Sequence, residues 1–218
     1  ATIVDGELQL QSSIPNAELA VWYEDGGLYK DFTAEFTYRF VAGEENDAAM
    51  FLYRASSDGA TGYAVYFVRC PDDANQYYIK LTSRPYTYLD GGYFFNDGGN
   101  GVAYNSDVQV KIVVVGTTHQ LYMTVPGGEY GDPIYTYTES TALYTNGYTG
   151  FAQWHADVEG AATTSFGNIS VSEYVEDPAA GWDRYGVADG TMNVTSDSVQ
   201  LGSSTLNAET VAINTGAG

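Results

Sequence analysis

Acid–base and nucleophilic chemistry begins with carboxylates, histidines, thiols and guanidinium groups, and this chain offers few of them in working combinations. Carboxylates spaced as Glu-x-Asp-x-(x)-Glu along a strand would set a nucleophile and an acid on one face, at the roughly 5–5.5 Å of a retaining hydrolytic pair. No such triplet occurs: Glu35 has only Thr33 and Thr37 as its same-face neighbours. His119 and His155 are the only histidines, and neither belongs to a His-x-His or His-Glu-x-x-His zinc pattern. Cys70 is the single cysteine, which rules out an intrachain disulfide, and before Pro71 it reads as a small apolar residue. Gly-x-Ser-x-Gly elbows and phosphate loops are missing. Arg39, Arg54, Arg69 and Arg84 lie in or beside strand-like segments. Such arginines either neutralise an anionic substrate beside a proton-transferring His or Tyr, or pair structurally with carboxylates.

Binding chemistry is better supplied. Ca²⁺ takes six to eight oxygens on a flexible loop. Asp90-Gly-Gly and Asn96-Asp97-Gly-Gly-Asn100-Gly offer such oxygens, as does Pro71–Asn75, so Asp90, Asn96, Asp97 and Asn100 are the candidate Ca²⁺ ligands. The same strings are also ordinary turn sequence. A sugar ring needs an aromatic platform beside polar groups that reach its hydroxyls. Trp22, Tyr86, Tyr88, Tyr93 and Trp154 supply platforms and His155 a polar neighbour, and the Tyr86–Phe95 connection is unusually aromatic. Asn168-Ile-Ser and Asn193-Val-Thr satisfy the N-glycosylation pattern.

The elements that must position these residues are strands. In Phe32–Phe40 the residues Phe32, Ala34, Phe36, Tyr38 and Phe40 alternate with Thr33, Glu35, Thr37 and Arg39, giving one apolar and one polar face. Similar runs follow at Ala49–Ala55, Gly62–Arg69, Tyr77–Ser83, Val108–Val115, Gln120–Val125, Gly150–His155 and Thr164–Tyr174, separated by clusters of turn residues. No window has a sustained helical period. The 25 glycines serve the turns, and 20 tyrosines suit sheets whose faces stay partly wet.

Of 218 residues, 28 are acidic and 8 basic, for a formal net charge of −20. Such a surface repels nucleic-acid phosphates and anionic membranes. It suits calcium, cationic partners or neutral sugars, and it also serves solubility alone. No 18-residue apolar run is present, so no transmembrane helix is expected. Ala1 at the start suggests a processed mature protein or an excised fragment.

Gly150-Phe-Ala-Gln-Trp-His155 followed by Ser165-Phe-Gly-Asn-Ile-Ser-Val171 resembles the closing strands of concanavalin A-like domains, in their laminin G-like and 3-keto-disaccharide hydrolase-like branches. The opening Val4–Leu10 and Asp31–Phe36 is similar, so the resemblance covers about residues 3–175 as a pattern. It implies an all-β fold, a two-sheet antiparallel jelly-roll sandwich, found in lectins, hydrolases, lyases and adhesins alike. Gln153-Trp-His155 also resembles the Gln-x-His strand of alginate lyases, but the Arg-x-Glu-x-Arg and Tyr-Phe-Lys-x-Gly companions are absent and the pair falls too near the end.

Beyond the sandwich, residues 176–181 read as a linker and 182–218 as a strand-containing tail. The tail repeats the opening of the chain: Leu8–Trp22 aligns without gaps on Val199–Ile213, with identities at Gln9/Gln200, Leu10/Leu201, Ser12/Ser203, Ser13/Ser204, Asn16/Asn207, Ala17/Ala208 and Glu18/Glu209. Either a second tandem copy opens here, or a strand carrying Val199, Leu201, Val211 and Ile213 pairs with the sheet edge of a neighbouring subunit. These readings favour a non-catalytic extracellular structural or adhesive module that assembles with neighbouring copies through its terminal strands. The alternatives are a lectin-like carbohydrate-binding module and, after it, a polysaccharide-degrading enzyme.

Overall fold

A computed structural model describes residues 1–23, 28–43, 46–69, 77–95, 106–156, 160–174, 182–186, 190–194, 199–203 and 210–214; of Tyr23, Tyr93, Phe94 and everything from 182 on, it describes only the backbone. The chain divides into two compact units, Ala1–Tyr174 and Val175–Gly218. No helix among the described residues is long and apolar enough to cross a membrane.

Among its described residues the first unit has thirteen strands: β1 (Thr2–Val4), β2 (Glu7–Ser12), β3 (Ala17–Tyr23), β4 (Phe32–Ala42), β5 (Ala48–Ala55), β6 (Tyr63–Arg69), β7 (Tyr77–Ser83), β8 (Thr87–Phe95), β9 (Val108–Val115), β10 (Thr118–Thr124), β11 (Tyr135–Thr138), β12 (Tyr148–His155) and β13 (Ala162–Glu173). One sheet has the order β1-β2-β13-β4-β9-β10-β11 and the other β3-β12-β5-β6-β7-β8. Every pairing is antiparallel, and the interleaved order is a two-sheet jelly roll.

Alternation decides which face each strand buries. On β4, Phe32, Ala34, Phe36, Tyr38 and Phe40 all enter the space between the sheets. There Phe36 stacks on Phe51 at 5.3 Å and meets Phe151 edge-on at 5.1 Å, while Phe151 lies 4.8 Å from Phe166. Each such pair adds about 0.5–1.5 kcal/mol to the burial of its area. This aromatic layer fastens β4 and β13 of one sheet to β5 and β12 of the other.

One end of the core holds polar groups instead. The Arg54 side chain is 1% exposed and donates to Lys30 O (2.8 Å), Tyr144 O (3.1 Å) and Asp31 Oδ1 (3.2 Å). Beside it, His119 on β10 meets Tyr53 of the facing sheet, with 2.8 Å between Nδ1 and the phenol oxygen. Its Nε2 lies 3.3 Å from Glu139 Oε1, but neither atom completes a hydrogen bond among the described residues. Burial, and then the Arg54 charge, push the His119 pKa down to about 4, so the ring is neutral.

Two sequence expectations change here. The Tyr86–Phe95 stretch is strand β8 from Thr87 onward, with register shifts where β7 pairs with it between Ile79/Lys80 and Leu81/Thr82. Bulges of this kind let Asp90-Gly-Gly, which reads as a turn, continue a strand. A short strand, β11, also went unrecognised. The proposed linker lies outside the described residues.

Among its described residues the second unit has four strands: β14 (Trp182–Gly186), β15 (Gly190–Val194), β16 (Val199–Ser203) and β17 (Thr210–Asn214). β14 pairs with β17 and β15 with β16. Val199 and Leu201 therefore sit opposite Val194 and Met192, and Val211 and Ile213 opposite Tyr185 and Asp183. Both strands expected to act between subunits already have one partner within the tail.

Candidate functional site

The six-stranded sheet buries residues on both of its faces. On β5 all eight residues are buried, and Ala48, Met50 and Leu52 point away from the inter-sheet core into a second apolar cluster with Ala64, Tyr66 and Ala152. Ala20, Trp22, Val68 and Trp154 pack against it. Cross-strand register sets these residues in rows. One row runs Glu18–Trp154–Ala48–Val68–Tyr78, the next Ala20–Ala152–Met50–Tyr66–Lys80–Gly91, and the third Trp22–Gly150–Leu52–Ala64–Thr82–Tyr88. Small residues (Ala20, Ala48, Ala64, Gly150, Ala152) keep the floor low and aromatic residues stand around it. A side chain at Gly150 has no room, because a Cβ there would fall 2.8 Å from Trp22 Cε3.

The result is a groove of about 460 Å³ lined by Glu18, Asn46, Ala48, Tyr66, Val68, Lys80, Pro85, Tyr86 and Trp154. Tyr66 and Tyr86 meet edge to face at 6.0 Å. The Lys80 ammonium stands 4.7 Å from the Tyr66 ring centre and 5.3 Å from that of Tyr86, and donates to Tyr86 Oη at 3.1 Å. Glu18 forms a two-pronged pair with Arg84, at 2.9 and 3.1 Å, and Arg84 also donates to Gly59 O. With Glu18 neutralised by Arg84, Lys80 leaves the groove locally positive on a chain of net charge −20. Burial, then the Glu18 charge, push the Tyr66 pKa up to about 12, so its phenol is a neutral hydrogen-bonding group at ordinary pH.

The expected platform residues separate. Trp154 and Tyr86 line the groove, and Trp22 packs into the cluster that floors it. Tyr88 is half exposed at the far end of the Trp22 row. Tyr93 lies on β8 opposite Ile79; its side chain is outside the described residues. His155 is a correction: it is 1% exposed, with Nδ1 3.0 Å from Asp47 Oδ1. Asp47 also accepts the Ala156 N–H at 2.8 Å. On β12, Trp154 and His155 must face opposite ways, and Gln153 goes inward with His155, its Oε1 accepting the Thr164 N–H at 3.1 Å. Gln153 and His155, the pair that resembles a lyase strand, are thus part of the core.

The described residues do not form a calcium site. Asp90 is within β8, with Oδ1 accepting the N–H of Gly91 at 2.8 Å. Asn96, Asp97 and Asn100 lie outside the described residues. Among those described, no three His, Cys, Asp or Glu side chains gather into a metal-binding group. Asn168 is exposed on a bulge of β13 at φ 51°, and Asn193 sits on β15 opposite Gln200.

Sequence reasoning missed Glu18, Asn46, Tyr66, Val68 and Lys80. One signal for the groove was present: Ala48-Ala-Met-Phe-Leu-Tyr has no polar alternation, the mark of a strand covered on both faces.

No family model matches this chain, and no curated protein does. Solved structures do. The carbohydrate binding module CBM66 from Bacillus subtilis is 14% identical over 75% of this chain and 86% of its own, with a TM-score of 0.54. The exoplasmic/lumenal domain of VIP36, in its Ca²⁺/Man3GlcNAc-bound form, is 11% identical over 80% of this chain and 85% of its own, at 0.54. The first unit has a concanavalin A-like jelly-roll fold. An alginate lyase of polysaccharide lyase family 7 shares this fold, at 14% identity over 77% of this chain and 80% of its own, with a TM-score of 0.51. At these identities the likeness is one of architecture, and what the jelly roll binds must be argued from its own groove.

Proposed function

We propose that this jelly roll is an extracellular carbohydrate-binding module that receives a sugar chain in the groove on the outer face of its six-stranded sheet. One observation carries the reading: Trp154 and Tyr86 stand beside Glu18, Asn46 and Lys80 over an apolar floor in one open groove. An aromatic ring covers the apolar face of a pyranose, and the surrounding donors and acceptors take its hydroxyls. Two structures of the same architecture, the CBM66 module and the glycan-bound VIP36 domain, support it by analogy.

Binding is favoured over turnover because both histidines are buried away from the groove and Glu18, the carboxylate that lines it, is paired with Arg84. Lys80 suits a ligand oxygen, whether hydroxyl or carboxylate. Printing the fluorescently labelled full chain over a glycan array, alongside Tyr86→Ala, tests the reading. Retention on a defined glycan class, diminished in the variant, supports it; uniform absence of retention counts against it.

A further inference from the structure

The tail carries more than a sequence similarity to the opening of the chain. The offset that carries Gln9 onto Gln200 also carries β2 onto β16 and β3 onto β17. It carries the pairing as well. In the opening hairpin Thr2 faces Gln9 and Ile3 faces Leu8; in the tail Asn193 faces Gln200 and Val194 faces Val199. Under that one offset these are the same two pairs. A one-residue slip would turn every side chain of the hairpin to the other face, so register is a demanding coincidence to meet by chance.

The edges differ in an instructive way. In the first unit β2 is bonded on both sides, to β1 and to β13, and β3 is bonded to β12. In the tail β16 is bonded to β15 alone, leaving open, among the described strands, the edge at which β2 receives β13. An unpaired edge of this kind is a template for another strand. β17 has its partner in β14, where β3 has β12.

We infer that β15, β16 and β17 are a second edition of β1, β2 and β3, able to complete a jelly roll built on β4–β13 of a second copy of this chain. The partner surface is then specified: the β13 edge for β16 and the β12 edge for β17, which a copy's own β2 and β3 hold and which removal of those strands exposes. The inference does not depend on the groove's ligand.

The test replaces residues 1–23 of the full chain by the sequence of residues 192–214, which the offset makes equal in length. A control carries the same residues in scrambled order. Thermal unfolding followed by near-ultraviolet circular dichroism is the readout. The expected result is one cooperative transition for the exchanged chain and its loss in the scrambled chain. In parallel, the chain lacking residues 1–23 should assemble into closed dimers or longer chains, read by light scattering, because each tail completes a neighbour. An exchanged chain as unfolded as the scrambled one, together with a deletion chain that neither folds nor assembles, would overturn the inference.

Discussion

Lowering the pH from 7.5 to 4.5 should weaken this protein through the buried His119. Its imidazole is enclosed between the two sheets, Nδ1 against the Tyr53 phenol, with the fixed Arg54 charge nearby. Its ordinary pKa of 6.5 falls to about 4 in the fold. The sign follows from proton linkage: the unfolded chain takes up the proton first, so stability is intact above pH 6.5 and is lost as pH falls toward 4. At pH 4.5 the unfolded imidazole is almost wholly protonated and the folded one about a quarter so. The difference is worth about 2.5 kcal/mol, from 1.36 kcal/mol per pKa unit. His119→Asn removes the titration while keeping an acceptor for Tyr53. Urea unfolding by tryptophan fluorescence at both pH values gives the comparison. The wild type should lose about 2.5 kcal/mol more than the variant. Glu7 contributes in the same direction: burial opposes its ionisation, but hydrogen bonds from Ser165 and Arg39 hold its pKa below the ordinary value. That contribution is common to both proteins and cancels. Equal losses in the two would refute the assignment of His119 as a buried neutral ring.

Three further outcomes can be checked with the same equipment. Arg54→Leu leaves the Lys30 and Tyr144 carbonyls and Asp31 without their shared donor and should cost about 3 kcal/mol in urea unfolding. Gly62→Ala should cost more than about 1 kcal/mol, since Gly62 has φ +128° and a Cβ there would fall 2.6 Å from Ala55 Cα; a neutral result would mean the Ser56–Gly62 turn is not fixed as described. Lys80→Gln should change the unfolding free energy by no more than about 1 kcal/mol, the worth of its cation–π contacts with Tyr66 and Tyr86. In the groove it should weaken uronate-bearing ligands more than neutral ones, measured by calorimetric titration.

Much of the sandwich was legible because its strands have one wet and one dry face: the Phe32–Phe40 alternation is enough to place β4. What escaped was set by contacts between distant residues. Glu18, Trp154, Ala48 and Val68 share a row only through the registers of β3, β12, β5 and β6, and no local window contains that information. β8 escaped because Asp90-Gly-Gly is good turn sequence; pairing with β7 overrides the local preference. His155 was misplaced by reading Gln-Trp-His as a unit, although period-two alternation sends Trp154 to one face of β12 and its two neighbours to the other. The buried Arg54 was visible only as an arginine near a strand; enclosure by carbonyls from Lys30 and Tyr144 is a tertiary fact.

The central claim is that the outer groove of the six-stranded sheet binds a sugar chain, and calorimetric titration with Trp154→Ala tests it most directly. A panel of neutral and uronate-bearing oligosaccharides would be titrated into the full chain and into the variant. Losing an aromatic platform worth about 1.5–3 kcal/mol should weaken binding roughly tenfold to a hundredfold. The expected result is saturable binding of at least one oligosaccharide by the wild type, weakened to that extent in a variant that still unfolds cooperatively. Binding that is unchanged in both Trp154→Ala and Tyr86→Ala, or no saturable binding by the wild type at all, would contradict the account.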